Sequence, residues 1–251
     1  MILESLVFAT QRTAPGARSA GIAAEQAAIA ARYLRCREAW RQHLESCRAF
    51  ILAGASQVAR RRRVFVLGSG CLLDIPLFGL SRLFEQVVLV DAAQPLHARI
   101  AAWRHGNVEA RTLSFVTTGL HEPRYRSWRE ALPEPDYIVA SMLLSQLPPP
   151  RAGSADQHWR RALMAEALED ISAGREATCL ITETSCILRR RGTEPEAQDP
   201  LLGVVSPPPL ERWRWLLAPP GERKDGMIVE LDVSASFRSS AGTGWLRQSA
   251  R

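Results

Sequence analysis

Two features of the chain combine residue types and spacing that could do chemistry. Gly68-Ser69-Gly70 closes one apolar run, and Asp91 closes the next. Glycine lets the backbone turn sharply and lets a ligand approach it closely. A carboxylate about twenty residues further on can accept hydrogen bonds from both hydroxyls of a ribose. The separation suits one strand–helix–strand unit, so the pair points to a nucleoside-type ligand. The alternative for the glycines is a tight strand-to-helix turn with no ligand; for Asp91 it is a helix cap. At a strand end facing a cleft, Asp91 would support no core packing, so its replacement would spare thermal stability. Asp74 reads as the cap of the helix that follows it rather than as a ligand.

Other chemistry is less visible. The five cysteines, Cys36, Cys47, Cys71, Cys179 and Cys186, form no CxxC pair, which excludes zinc-ribbon and thioredoxin readings. Three lie in apolar periodic runs, where cysteine behaves as a small hydrophobe. No metal site is expected. His43, His97, His105, His121 and His158 form no metal-type pair. His43 lies on a helix and reads as structural. His121 follows the third strand and is the one candidate general base.

The elements that must position these residues alternate. A helical pattern covers residues 22–58, with Ile29, Tyr33, Cys36, Trp40, Leu44, Cys47 and Ile51 on one stripe. The stripe must be buried, either on the central domain as part of a pocket wall or lid, or against a second copy. Gly54 and Ser56 weaken that helix near its end. Strands are predicted at 64–67, 87–90, 110–116, 137–140 and 178–182; the first, second and fourth are continuous apolar runs of the kind buried on both faces. Helices are predicted after Asp74, from Pro95 to Trp103, over 155–172 and, as a short one, within Arg124 to Leu132. Residues 189–209 read as a loop. Segments 213–217 and 227–235 alternate and flank a Pro219-Pro220-Gly221 turn, which reads as an antiparallel hairpin.

The order implies an α/β fold: a Rossmann-like, mostly parallel seven-stranded sheet, with N-terminal helices and a C-terminal antiparallel hairpin. The predicted organisation is an N-terminal helical extension over 1–58, a Rossmann-like domain over 59–238 and a flexible tail over 239–251.

Composition narrows the classes. The chain has 251 residues, 46% of them hydrophobic, enough for one full core. Its net charge is +6, carried almost wholly by arginine, with Lys224 the only lysine. The clusters Arg60–Arg63 and Arg189–Arg191 each flank an apolar run and read as solvated strand ends, so nucleic acid is possible but not favoured. No basic leader and no apolar run near 18 residues stands in the sequence, so neither a signal peptide nor a membrane span is expected. The reduced cysteines suggest a cytoplasmic protein.

At these residues the chain resembles the class I S-adenosylmethionine-dependent methyltransferases, over roughly residues 60–235. Val64-Phe65-Val66-Leu67-Gly68-Ser69-Gly70 is similar to the family's first motif, and Val88-Leu89-Val90-Asp91 to its second. Pro135-Asp136-Tyr137-Ile138-Val139-Ala140-Ser141, followed by Leu143-Leu144-Ser145-Gln146-Leu147-Pro148, is similar to the fourth-strand motif and its loop. The closing hairpin also matches the family, whereas dinucleotide dehydrogenases generally lack it. The resemblance implies S-adenosylmethionine as cofactor, held by Gly68, Ser69, Gly70, Asp91 and Ser141. It also places Ser141 and Gln146 along the substrate pocket. The family usually has an acid where Val66 stands, a third glycine where Leu72 stands, and an acid near the end of the third strand, where Ser114 to Gly119 has none.

The function implied is methyl transfer to an unidentified, small-molecule acceptor, with catalytic residues unassigned. The departures favour an alternative, a non-catalytic scaffold or partner-binding protein of the same fold. A nicotinamide oxidoreductase is disfavoured by the missing third glycine and by the hairpin. The asparagine/aspartate-Pro-Pro-aromatic motif that resembles base-modifying amino methyltransferases is absent. The sequence is silent on the oligomeric state.

Overall fold

The computed structural model describes residues 2–117, 123–147, 157–190, 192–242 and 244–247. His121 and the run Pro148-Pro149-Pro150 lie outside them. The main sheet contains β2 (Arg63–Leu67), β3 (Gln86–Asp91), β5 (Val108–Thr112), β6 (Tyr137–Ser141), β7 (Ala177–Arg189), β9 (Glu211–Ala218) and β10 (Ile228–Arg238). Their spatial order is β5-β3-β2-β6-β7-β10-β9. The first five are parallel neighbours; β10 lies antiparallel to both β7 and β9. This is the mostly parallel sheet with an antiparallel pair at one edge that the sequence implies. Strand order reverses between β2 and β6, the switch point at which such sheets bind ligands.

Continuous apolar runs make the central strands because both faces are covered. One face carries α2 (Ile22–Ser56), α3 (Leu77–Leu83) and α4 (Leu96–His105), around Ile51, Val64, Leu80 and Leu89. The other carries α5 (Gln157–Ala173), whose Leu163 and Ile171 meet Phe65, Leu67 and Trp128. The basic residues at the strand entry are paired: Arg62 meets Asp136 at 3.1 Å, and the Arg62 and Arg63 amides donate to the same carboxylate.

The stripe of α2 packs on the sheet. Cys47, Phe50 and Ile51 belong to the same core as β2 and β3. Trp40 and Leu44 pack on β9, where the Trp40 indole N–H donates to the Leu217 carbonyl at 3.0 Å. Gly54 is there for packing: a Cβ would lie 2.5 Å from the Tyr137 hydroxyl, which itself donates to the Ile51 carbonyl.

Several expectations fail locally. The third strand is Val108–Thr112 rather than 110–116, because the chain leaves the sheet where the Ser114 hydroxyl donates to the Val116 carbonyl. Residues 124–132 form turns, not a helix; Arg129 there pairs with Asp170 and Glu176 on and beyond α5. The fifth strand runs on to Arg189, because β10 offers it a partner along its whole length. Within the predicted loop, β8 (Glu196–Gln198) adds an eighth strand beside β7. Ahead of α2, α1 (Ile2–Thr10) is followed by β1 (Arg12–Thr13), which pairs with β4 (Ala93–Gln94). Beyond β10, Leu246 donates back to the Phe237 carbonyl.

Cys36, Cys47, Cys71 and Cys179 are buried free thiols. Burial pushes the Cys71 and Cys179 thiols up to about 12. Among the described residues, no helix is long and apolar enough to cross a membrane.

Candidate functional site

A cavity of about 440 Å³ opens at the carboxyl ends of the parallel strands. Gly68, Ser69, Gly70, Asp91 and Ser141 all line it, as does Gln146. The structure therefore brings together every residue that the sequence singled out for binding.

The glycine turn is used in two ways. Gly68 has φ +71°, and a Cβ on it would meet Leu143 Cδ1 at 2.9 Å, so protein packing already needs this glycine. Gly70 has φ +47° with no foreign atom closer than 3.8 Å, which leaves its face open to a ligand. Leu72 stands where the resemblance has a third glycine, and it holds φ +58°. The backbone keeps the glycine conformation although the side chain is leucine, at a cost of about 1–2 kcal/mol. The Ser69 side chain is buried and accepts from Gln94 Nε2 at 3.3 Å.

Asp91 is buried and tied to three other segments. Its Oδ2 accepts from the Gly70 amide at 2.7 Å. Its Oδ1 accepts from the Ala93 amide at 3.0 Å and from Gln26 Nε2, on α2, at 2.9 Å. The expectation that Asp91 supports no structure is therefore wrong: the carboxylate joins the glycine turn, the start of β4 and the long helix. Burial raises its pKa to about 6, against the opposing pull of these donors. Gln26 is itself buried, and its Oε1 has no partner among the described residues.

Asp74 does not cap a helix. Pro76 occupies the N-cap position of α3, with no side-chain cap. The Asp74 carboxylate instead accepts a short hydrogen bond from the Ser141 hydroxyl across the cavity floor, and burial raises its pKa. Ser141 is thus held in the floor by a partner on the loop after β2.

Glu183 is the residue that the sequence reading passed over. It lies two residues beyond Ile181, which pairs with Ser141 across β6 and β7. It is buried, lines the cavity and accepts from the Ser145 hydroxyl at 2.9 Å. No cation lies within ion-pair distance of it among the described residues, and burial raises its pKa. The β7–β10 register slips immediately after it, between Asp232 and Val233, and Thr184 Oγ1 donates to the Asp232 carbonyl at 3.3 Å. Such bulges re-aim side chains at strand ends. The sequence signal was the polar Thr182-Glu183-Thr184 break in an apolar strand.

Across β10 from Glu183, the wall of the same cavity is aromatic. His43 stacks on Trp215, with centroids 4.0 Å apart and planes within 3°, and Trp40 meets Trp215 edge-on at 5.0 Å. His43 Nδ1 accepts from the Trp213 indole at 3.0 Å. Burial lowers its pKa to about 3, so His43 is neutral and structural, as its helical position suggested. Leu44, Leu217 and Leu231 complete this end. Helical and strand periodicity placed these residues in elements but gave no sign that α2 and β9 meet over the sheet.

No protein-family model matches the chain, and no curated protein matches it. Among solved structures it is similar to 1,6-didemethyltoxoflavin-N1-methyltransferase of Burkholderia thailandensis, which was solved with 1,6-didemethyltoxoflavin and S-adenosylhomocysteine bound. The identity is 14% over 89% of this chain and 91% of that one, with a TM-score of 0.42. The DhpI–SAM–HEP complex is similar at 14% identity over 88% of this chain and 99% of that one, with a TM-score of 0.40. Precorrin-6y C5,15-methyltransferase of Geobacter metallireducens is similar at 10% identity over 72% and 85%, with a TM-score of 0.32.

Proposed function

We propose that the protein is an S-adenosylmethionine-dependent methyltransferase acting on a small-molecule acceptor. The observation that carries this reading is one cavity with two chemically different ends. Gly70, Asp91 and Gln26 line one; aromatic rings and Glu183 line the other. The first end suits a ribose. Asp91 Oδ2 takes one hydrogen bond, from Gly70, and Gln26 Oε1 takes none among the described residues. A ribose diol brings two O–H donors to these two acceptors, and Gly70 leaves room for the backbone to be approached.

A dinucleotide fits less well. Its pyrophosphate needs a helix N-terminus directly after the glycine turn. Here α3 begins only at Leu77, is 7 residues long and carries no side-chain cap. Among the described residues, the charged groups on the cavity wall are four carboxylates (Glu25, Asp74, Asp91 and Glu183) and two guanidiniums, Arg32 and Arg160. That balance favours a cationic sulfonium over an anionic diphosphate.

When bound, S-adenosylmethionine supplies an electrophilic methyl group. The chain's own work is positioning. Asp91 and Gln26 fix the nucleoside end, and Ser141, held by Asp74, forms the floor between the ends. Leu44, Leu217 and Leu231 keep the far end dry.

One observation favours the second reading, a non-catalytic protein of this fold: Asp91 already holds three protein donors. Titration calorimetry of the full chain with S-adenosylmethionine, S-adenosylhomocysteine and, separately, NAD decides between them. Binding of the two sulfur compounds without NAD is the expected result. NAD binding alone overturns the proposal, and no binding of any of the three leaves the non-catalytic reading.

A further inference from the structure

The sheet itself measures how far apart the two ends are. Asp91 ends β3, the glycine turn follows β2, Ser141 ends β6 and Glu183 lies on β7. Three strand spacings separate Asp91 from Glu183, about 14 Å sideways, and Glu183 stands two residues further out along its strand. In the proposed cofactor the methyl-bearing sulfur is only two bonds beyond the ribose ring. A nucleoside anchored at Asp91 therefore places its methyl group short of Glu183, and Glu183 faces whatever lies past it.

What lies past it must satisfy a specific wall. A buried carboxylate without a cation is costly unless a ligand brings a donor or a positive charge. The Ser145 hydroxyl and the Glu183 amide supply neutral donors, and no cation is within ion-pair distance among the described residues. Trp215 Nε1 is also buried without an acceptor among them. The remaining lining here is Trp40, His43, Trp215 and leucines, which suit a flat apolar body.

Building on the cofactor reading, we propose that this end of the cavity takes a planar heteroaromatic amine, with its amino N–H on Glu183. Glu183 is then the catalytic base. The nitrogen lone pair forms the new N–C bond to the methyl carbon. The methyl–sulfur bond breaks with its electron pair left on sulfur, which becomes a neutral thioether. The proton lost from nitrogen passes to the Glu183 carboxylate. The raised pKa of that carboxylate makes it a better proton acceptor than an exposed glutamate.

The test uses the full chain and three matched benzimidazoles: 2-amino, 2-methyl and 2-carboxylate. Binding is read by tryptophan fluorescence and calorimetry, with and without S-adenosylhomocysteine, in the wild type and in Glu183→Gln. The amine is expected to bind at least tenfold tighter than the carboxylate or the methyl compound. Glu183→Gln is expected to erase that preference while S-adenosylhomocysteine binding changes less than twofold. With S-adenosylmethionine, the wild type should add 14 Da to the amine, and Glu183→Gln should do so at least a hundredfold more slowly. An amine that binds no better than its carboxylate analogue, or a preference that survives Glu183→Gln, overturns the assignment. Amine binding with no transfer in the wild type overturns the role as base. If S-adenosylhomocysteine fails to bind while the amine preference holds, it is the cofactor reading that has failed.

Discussion

The two ends of the cavity each present a buried carboxylate, and the two are held in opposite ways. Asp91 is bound by two backbone amides and a glutamine, from three segments. Glu183 takes one hydrogen bond from another segment, the Ser145 hydroxyl, besides its own amide, next to a strand bulge. A carboxylate clasped by backbone is part of the fold as well as of the site. One left with few donors has its chemistry still to be completed from outside. The difference forecasts that substitution at the first end damages folding and binding together, whereas substitution at the second damages binding and spares folding.

The strongest break of this contrast is Asp91→Ala. It leaves three buried donors without an acceptor, each worth about 1–3 kcal/mol. Unfolding stability is expected to fall by about 3 kcal/mol or more, seen as a lower urea midpoint at unchanged slope. Asp91→Asn keeps one acceptor oxygen and should lose less. A full-strength Asp91→Ala protein would show that the clasp is dispensable.

The next effect is on pH. The Asp91 pKa is raised to about 6 in the folded chain from an ordinary 3.8, so between those values the folded state holds a proton that the unfolded state has released. Ligand-free stability should therefore fall as pH rises from about 4 to 7, by about 3 kcal/mol, with no further loss from this group above that window. Asp74 and Glu183 shift in the same direction. Urea midpoints at pH 4.5 and 7 measure the slope, and Asp91→Asn should flatten it. A wild-type midpoint that rises over this interval would count against the burial-dominated shift.

Smaller still is Gln26→Leu. It removes one donor from Asp91 but also an unpartnered buried oxygen, so the net loss of stability should be about 1 kcal/mol. Affinity for S-adenosylhomocysteine should fall about tenfold, since one acceptor for the diol is gone. The smallest effect is expected at the other end: Glu183→Gln relieves a buried charge and should leave stability within about 1 kcal/mol of wild type, on the stabilising side. A loss like that of Asp91→Ala would erase the contrast between the ends.

The first end was legible in the sequence because its parts are local. A glycine turn and a carboxylate one strand later sit at spacings that a single strand–helix–strand unit dictates. Leu72 shows the limit of reading residue types, since its backbone stays glycine-like while its side chain does not. The second end was not legible. Trp40 and His43 on α2 reach Trp213 and Trp215 on β9 across some 170 residues of sequence. Only packing in three dimensions brings Trp40, His43 and Trp215 into the cavity that Glu183 lines. The over-long third strand and the expected helix at 124–132 failed for a related reason: a hydroxyl–carbonyl contact at Ser114 and the Arg129 pairings decide those segments, and neither leaves a periodic trace. Asp74 was misread because a cap and a cavity-floor acceptor need the same residue type.

The four buried thiols make the fold its own stopwatch. Cys36 and Cys47 ride on α2, Cys71 follows the glycine turn, and Cys179 sits in β7. Cys71 lines the cavity, whereas a thiol reagent reaches the other three only when their surroundings open, so their labelling rate counts local opening events rather than intrinsic reactivity. If α2 lifts from β9 as a unit to admit an acceptor, Cys36 and Cys47 will be modified together and well ahead of Cys179. If the cavity is entered without that movement, all three will wait for the molecule to unfold. Mass spectrometry of a timed alkylation then reports how the aromatic end is filled, with no knowledge of what fills it.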